Sequence, residues 1–261
     1  MDWCGGLSDL RKGVVRTLHN ESFIDDPTRV FRAVRYEQRL GFNIEDRTLD
    51  QLKAATGQGM VGGLTPDRLR HEMERILQDE LPAATLRRCI ELGILGAVHP
   101  SLDGLDTGYL DRQNRPLVRE HGNDPSQTLG YLALLVSDLS EHQGEALIRR
   151  LNMSEVWGNV VRDSIWLQGM TDDLSRKALS PSQLAHILEG CREEAVMALA
   201  SATDDSLLSQ RLHRYLAELR YVEPILNGQD LLDLGVPVGP QVGQILDQLR
   251  DDVLDLSLIH I

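Results

Sequence analysis

After residue 20 the sequence shows almost no period-2 alternation of apolar and polar residues, and this constrains the fold more than any other feature. Helix punctuation takes its place. Asp26-Pro27 opens a segment that Gly41 closes: Asp suits an N-cap, Pro the first helical position, and Gly the left-handed residue beyond the last turn. Asp46 or Thr48 to Ala55 reads as a second, short helix. Thr65-Pro66 starts a third that runs to about Gln78, and Pro82 a fourth ended by Gly93. Residues 100–125, rich in Gly, Pro, Asn and Asp, read as loop or weak elements. Helical patterns resume at about 126–138, 141–151, 154–168, 181–200 and 205–220. A last pair, at about 228–234 and 240–254, flanks the turn GVPVGP. Upstream, Gly5-Gly6 is a turn, and the apolar run 13–19 (GVVRTLH) suits a strand. The chain is expected to be all-α, with one short β element near its N-terminus.

Composition agrees with helices. Apolar residues make up 41% of the 261, but aromatics only 4%, so the core must be Leu, Ile, Val and Ala. No run of 18 apolar residues exists, so no membrane partner is expected. The start MDWCGGLSDLRKG lacks the basic and apolar regions of a signal peptide. Cys4, Cys89 and Cys191 are far apart, form no C-x-x-C pair and are odd in number, which argues against a disulfide framework. A reducing cytoplasmic location is expected. No repeat of 20–50 residues and no low-complexity segment is present. Net charge is −13 but uneven: residues 11–75 carry 12 Lys+Arg against 10 Asp+Glu, and residues 76–261 carry 15 against 28. Any contact with a polyanion belongs to the first third or to a local patch, and tight non-specific nucleic-acid binding is not expected.

The segment SFIDDPTRVFRAVRYEQRLGF, residues 22–42, puts four arginines on one side of one helix. With Arg29 at 0° and about 100° per residue, Arg32, Arg35 and Arg39 fall at about 300°, 240° and 280°. Val30, Ala33, Val34 and Leu40 fall between about 20° and 140°. The bland account is a core-packed helix whose arginines meet water and nearby acids such as Glu37, with Asp26 an ordinary N-cap.

FIDDPTRVFRAVRYEQRLGF also resembles the neck helix of class II tRNA nucleotidyltransferases and bacterial poly(A) polymerases, where EDxxR precedes FRAxRF and a Leu-Gly-Phe. Three further segments resemble that family in the same order. DWCGGLSDLRKGVVR is similar to the D-P-F-G-G-x-x-D-L segment and following Arg that close its catalytic head. LTPDRLRHEMERIL is similar to its later neck helix, and ILNGQDLLDLGVPVGPQVGQIL to a tail segment with a Gly-Pro turn. RTLHNESFIDDPTR further resembles the branch that includes A-adding enzymes. The resemblance implies an elongated helical array of neck, body and tail, with a short β remnant of the head at the N-terminus. The corresponding limits are 1–20 for the head remnant, 21–80 for the neck, 81–170 for the body and 171–255 for the tail.

The implied role makes chemical sense of Asp26 and Arg29. CTP and ATP both present an exocyclic NH₂ donor beside a ring-nitrogen acceptor, whereas UTP and GTP present a carbonyl and an N–H. A carboxylate only accepts hydrogen bonds and a guanidinium only donates them, so this pair matches C or A and mismatches U or G. Each unmatched group costs about 1–3 kcal/mol. Arg32 and Arg35 are implied nucleotide-binding residues, since guanidinium suits phosphate oxygens of a triphosphate or of RNA. Asp25, in place of the usual Glu, with Arg68 and Glu72, is implied to support the pocket. Asp67 departs from the family's Glu, and the simpler account of Arg68 and Glu72 is an i,i+4 surface ion pair. Asp2, Gly5, Gly6, Asp9 and Arg16 are implied to couple head to neck, although Trp3-Cys4 replaces the family's Pro-Phe. Implied substrates are ATP and/or CTP and the 3′ end of a tRNA. The tail, with Gly239 and Gly243 in the turn before the last helix, is implied to meet the tRNA elbow. Free N–H groups there could hold a phosphate, and a tight helix–helix turn is the alternative.

Nucleotidyl transfer needs carboxylates that hold Mg²⁺. The family carries them in a head with a Gly-Gly…Arg-Asp turn and an Asp-x-Asp, and neither pattern occurs here. The chain alone is therefore expected to bind nucleotide poorly and to catalyse nothing, and Met1 to be an internal methionine or a fragment edge. The ending LSLIHI can be encoded by CTGTCTCTTATACACATC, a transposase end sequence used in preparing DNA libraries, so residues 256–261 are expected to be read-through into adapter. The eight histidines show neither H-E-x-x-H nor a zinc spacing, and His121 lacks the His-Asp partners of a phosphohydrolase. Trp157 and Trp166 are expected in the core. Two rival readings stand beside tRNA 3′-end extension by C and/or A: a poly(A) polymerase of the same superfamily, and a non-catalytic helical RNA-binding scaffold. Oligomeric state is not legible.

Overall fold

The computed structural model describes residues 4–108, 110 and 125–256. Among them the first helices are α1 (Gly6–Lys12), α2 (Ser22–Asp25), α3 (Arg29–Leu40), α4 (Asp46–Gly57), α5 (Pro66–Leu77), α6 (Pro82–Glu91) and α7 (Ile94–Val98). Next come α8 (Pro125–Val136), α9 (Glu141–Arg150), α10 (Glu155–Gly169), α11 (Thr171–Leu174) and α12 (Pro181–Leu188). The last are α13 (Glu193–Ala202), α14 (Ser206–Ala217), α15 (Gly228–Asp233) and α16 (Pro240–Leu256). Two strands, β1 (Val14–Val15) and β2 (Asn43–Ile44), pair in parallel with Val14 opposite Asn43. The all-α expectation holds.

Capping chemistry explains many of the boundaries. Pro66 and Pro181 sit in first turns, where their missing N–H leaves no helix bond unmade. Ser140 with Gln143, Ser180 with Gln183, and Asn227 with Asp230 form reciprocal capping boxes. Gly41, at φ 62, ends α3 in the left-handed region.

Several sequence expectations are corrected. The strand expected over 13–19 shrinks to two residues, because the chain beyond Arg16 bonds to α4 side chains instead. Thr17 N donates to Thr48 Oγ1 at 3.2 Å, Thr17 Oγ1 to Gln51 Oε1 at 3.0 Å, and Arg47 Nη2 to Asn20 Oδ1 at 2.6 Å. The helix expected from Asp26 begins, as a regular helix, at Arg29. Asp26 is extended at φ −145 and caps the turn ahead of it, accepting from Thr28 N at 3.2 Å. The single helix expected over 181–200 is two, α12 and α13, separated by Gly190 at φ 84. Gly5 takes φ 71 as expected of a turn, but Gly6 opens α1, a helix that the sequence did not announce.

Two apolar cores form. The first gathers buried residues from Phe23 to Val161 together with Ala198; the second gathers Leu167 to Leu254. α13 packs on both α8 and α10, which joins the cores. Trp157 packs against the first core as expected, but Trp166 is 41% exposed, which corrects its core assignment. Asp2, Trp3, His121 and 257–261 lie outside the described residues.

Glu37 is not the solvent neighbour of the arginines that the sequence suggested. It falls at about 80° on the helix wheel, within the apolar sector. It is buried, and Arg88 of α6 donates to it through Nε at 2.9 Å and Nη2 at 3.3 Å. Ile44 N donates to the same carboxylate at 3.3 Å. One carboxylate thus fastens α3 to α6 and to β2. Arg35 is likewise engaged, its Nε donating at 2.9 Å to the buried Asp79.

Candidate functional site

Arg29 and Arg32 of α3 border a cavity of about 310 Å³. One wall is the stretch from Val15 to His19, held in place by its bonds to α4. Ser22 and Phe23 of α2, Thr48 of α4, and Arg29, Arg32, Ala33 and Tyr36 of α3 complete the lining. Spacing explains the shared face: Tyr36 falls at about 340° on the helix wheel, between Arg29 and Arg32. Arg16 and His19 share the lining with Arg29 and Arg32, and among the described residues no carboxylate lines the cavity itself.

Arg29 is anchored by one nitrogen only. Nη1 donates to Ser22 O at 3.2 Å and to Ser22 Oγ at 2.8 Å. Its Nε and Nη2 make no hydrogen bond among the described residues. The neighbouring Tyr36 hydroxyl chiefly favours the charged form of Arg32, with Glu72 and Asp26 adding smaller attraction. Arg35 does not line the cavity.

Asp26 uses one oxygen for structure. Oδ1 accepts from Thr28 N at 3.2 Å, Thr28 Oγ1 at 2.7 Å and Arg68 Nη2 at 2.7 Å. Oδ2 accepts no hydrogen bond among the described residues. Burial pushes this carboxyl up, but the Thr28 hydroxyl and amide, helped by Arg68, outweigh it and hold Asp26 below the ordinary aspartate range. The group is an acceptor at neutral pH.

Arg68 and Glu72 do not form their i,i+4 pair. Arg68 reaches Asp26, whereas Glu72 Oε1 accepts from Arg75 at 2.7 Å and the buried Oε2 has no hydrogen-bond partner. Asp25 lies 3.6 Å from His19 at the cavity rim. Asp9 receives Arg16 through Nε at 3.1 Å and Nη2 at 2.7 Å, and Glu45 lies 4.0 Å away. Gly5 takes φ 71, the left-handed region that favours glycine; a Cβ there would meet Arg16 Nη2 at 3.6 Å, an ordinary contact. Gly239 and Gly243 flank the start of α16 with open space around them, in the part of the chain that builds the second core. The structure therefore gathers Arg16, Arg29 and Arg32 at one cavity and links Asp26 to Arg68. Sequence reasoning missed Ser22, Tyr36 and Thr48. Only Tyr36 had a readable signal, its place on the arginine face. Among the described residues no group of His, Cys, Asp or Glu could hold a metal.

Comparison with known proteins adds three findings. A family model described as the probable RNA and SrmB-binding site of polymerase A matches residues 41–105. The chain is 30% identical over 261 residues to an A-adding tRNA nucleotidyltransferase of Geobacter sulfurreducens, a match covering 95% of this chain and 30% of that protein. Its fold superposes on the Thermotoga maritima CCA-adding enzyme complexed with tRNA at a TM-score of 0.83 and 25% identity, covering 98% of this chain and 63% of that one. A CCA-adding enzyme solved with CTP gives 0.80 and 25%, covering 98% and 62%. The chain thus spans less than a third of the Geobacter protein and under two thirds of either solved chain.

Proposed function

Because this chain belongs to the class II tRNA nucleotidyltransferase family, we propose that it serves the addition of C and/or A to the 3′ end of tRNA, with Asp26 and Arg29 reading the incoming base. The observation that carries this reading is the division of labour on Asp26. Thr28 and Arg68 occupy Oδ1, which leaves Oδ2 to accept from an exocyclic NH₂. Arg29 is fixed through Nη1, which leaves Nε and Nη2 to donate to the adjoining ring nitrogen. The carbonyl and N–H of U or G would meet like against like at both places.

In this reading Arg32, at the cavity, meets phosphate oxygens, while Arg35 braces α3 through Asp79. Arg68 holds the Asp26 carboxylate at its working angle. Residues 21–80 act as neck, 81–170 as body and 171–255 as tail, with Gly239 and Gly243 turned to the tRNA elbow. Cytoplasm is the setting that tRNA processing calls for; no helix among the described residues is long and apolar enough to cross a membrane. The reaction calls for Mg²⁺, but the described residues offer no group that fits the ion, and Asp26, Arg29 and Arg32 act without it.

The test joins these residues to an active nucleotidyltransferase head and exchanges the pair, Asp26→Arg with Arg29→Asp. Preference for CTP and ATP over UTP and GTP should collapse. Unchanged preference would sink the base-reading assignment. A second reading, a poly(A) polymerase, is favoured by the family model over 41–105. It predicts extension of unstructured RNA as readily as of tRNA lacking its CCA end.

A further inference from the structure

Tyr36 is a cavity residue to which base reading gives no role. It stands where the motif FRAxRF has phenylalanine, so its hydroxyl is an addition to that motif. The side chain is 36% exposed and lines the cavity beside Arg29 and Arg32. The Arg39 guanidinium lies 5.4 Å from its ring centroid, a cation–π distance that holds the ring on the arginine face. Arg32, one helical turn earlier on α3, shares the cavity lining with it. A phenol has one O–H proton to give. Among the described residues nothing accepts that proton.

We propose that Tyr36 and Arg32 form a clasp for a phosphate oxygen in this cavity, the phenol donating its O–H and the guanidinium an N–H. Two donors side by side, one charged, suit an anionic oxygen and no cation. Arg29 on the same lining adds attraction through the Nε and Nη2 that Ser22 leaves free, while Arg16 is largely satisfied by Asp9. Arg32 above all, with Arg39 and Arg35, holds the phenol below the ordinary tyrosine value, which makes the O–H a stronger donor. The phosphate belongs either to a nucleoside triphosphate or to the RNA backbone, and the clasp chemistry is the same for both. The proposal rests on reading this cavity as the nucleotide and RNA site.

The experiment uses the 261-residue chain and three probes: tripolyphosphate, ATP, and an RNA minihelix ending in CC. Affinities are measured for the unaltered chain and for Tyr36→Phe, which keeps the ring and removes only the hydroxyl. The clasp predicts about tenfold weaker binding, the effect of one lost hydrogen bond to a charged group. Weakening for ATP and tripolyphosphate assigns the oxygen to the triphosphate; weakening for the minihelix alone assigns it to the RNA backbone. Equal affinity of the two proteins for every probe overturns the clasp and leaves the cavity reading standing. The isolated chain is expected to bind weakly, at about millimolar dissociation constants, and no binding of any probe at such concentrations overturns both. Should Tyr36→Phe fold poorly, tyrosine labelled with ¹³C at Cζ decides the matter in the unaltered chain. The Tyr36 resonance must shift on adding the bound probe, and a stationary resonance overturns the clasp.

Discussion

Arg68 closes on Asp26 across 42 residues of sequence, Nη2 to Oδ1 at 2.7 Å. The contact joins the first turn of α5 to the turn ahead of α3. Half of the Arg68 side chain is exposed, so the pair adds little to stability. Its consequence is positional: with Oδ1 held, the free Oδ2 has one direction. Arg68→Ala should move the unfolding midpoint little and raise the apparent pKa of Asp26 towards the ordinary aspartate value. Carboxyl ¹³C titration reads that shift. In a head-containing enzyme the same change should cost about tenfold in discrimination between CTP and UTP, on the scale of one mispaired polar group. An Asp26 titration identical to that of the unaltered chain would remove Arg68 from this role.

Glu37 is the converse case, a buried carboxylate whose role is structural. Its residue is 7% exposed, and the Arg88 side chain is 27% exposed. Glu37→Ala leaves Arg88 without its main partner and the Ile44 N–H without an acceptor, so it should destabilise the first core by about 2–3 kcal/mol. Urea unfolding measures the loss. Cys89 gives a second readout, since burial pushes its thiol up to about 12 and keeps it inert in the folded chain. Its alkylation should accelerate in the variant. A loss under about 0.5 kcal/mol, the scale of an ordinary surface substitution, would show that the pair is dispensable.

These two residues show how far the sequence could be read. The wheel separated cationic from apolar positions on α3, and the cavity arginines came from the cationic side. The same wheel placed Glu37 with the apolar residues, where its charge requires a buried partner. That partner, Arg88, is 51 residues away and no periodicity announces it. The Asp26–Arg68 contact is long-range in the same way. Strand β2 was illegible for another reason: two residues, Asn43 and Ile44, are too short for an alternating pattern, and their pairing depends on α3 returning them to β1. The break at Gly190 was legible in principle, since a glycine after an apolar helical run is a C-terminal signal.

His186 ties α12 to α16, its Nε2 standing 2.8 Å from Asp251 Oδ1, with Glu189 at 3.8 Å and Arg250 nearby. Asp251 chiefly holds the imidazole above its ordinary value, against burial. A raised folded-state pKa contributes stability that is complete below the unfolded value of about 6.5 and is lost as pH rises through the folded value. Thermal stability of the second core should therefore decline from about pH 6.5 upwards, and His186→Gln should flatten that slope. A slope that persists in His186→Gln would assign the decline to other groups.

Asn152 carries the one positive φ outside glycine among the described residues, at 46°. It ends α9, with its N–H donating to Arg149 O at 3.2 Å and the next N–H to Ile148 O at 3.1 Å. Its carbonyl accepts from Arg70 at 2.6 Å, and its Nδ2 donates to Asp67 at 3.1 Å, so it also pins the first turn of α5. Asparagine tolerates the left-handed region, alanine costs about 1 kcal/mol there, and a β-branched residue costs more. Asn152 is exposed, so packing does not confuse the comparison. Stability should fall in the order Asn, Gly, Ala, Val: glycine relieves the backbone but gives up the Asp67 contact, while alanine and valine lose both advantages. Thermal midpoints of the four variants test the order. If alanine matched glycine, the side-chain bond to Asp67, and not the left-handed backbone, would be what selects asparagine at this corner.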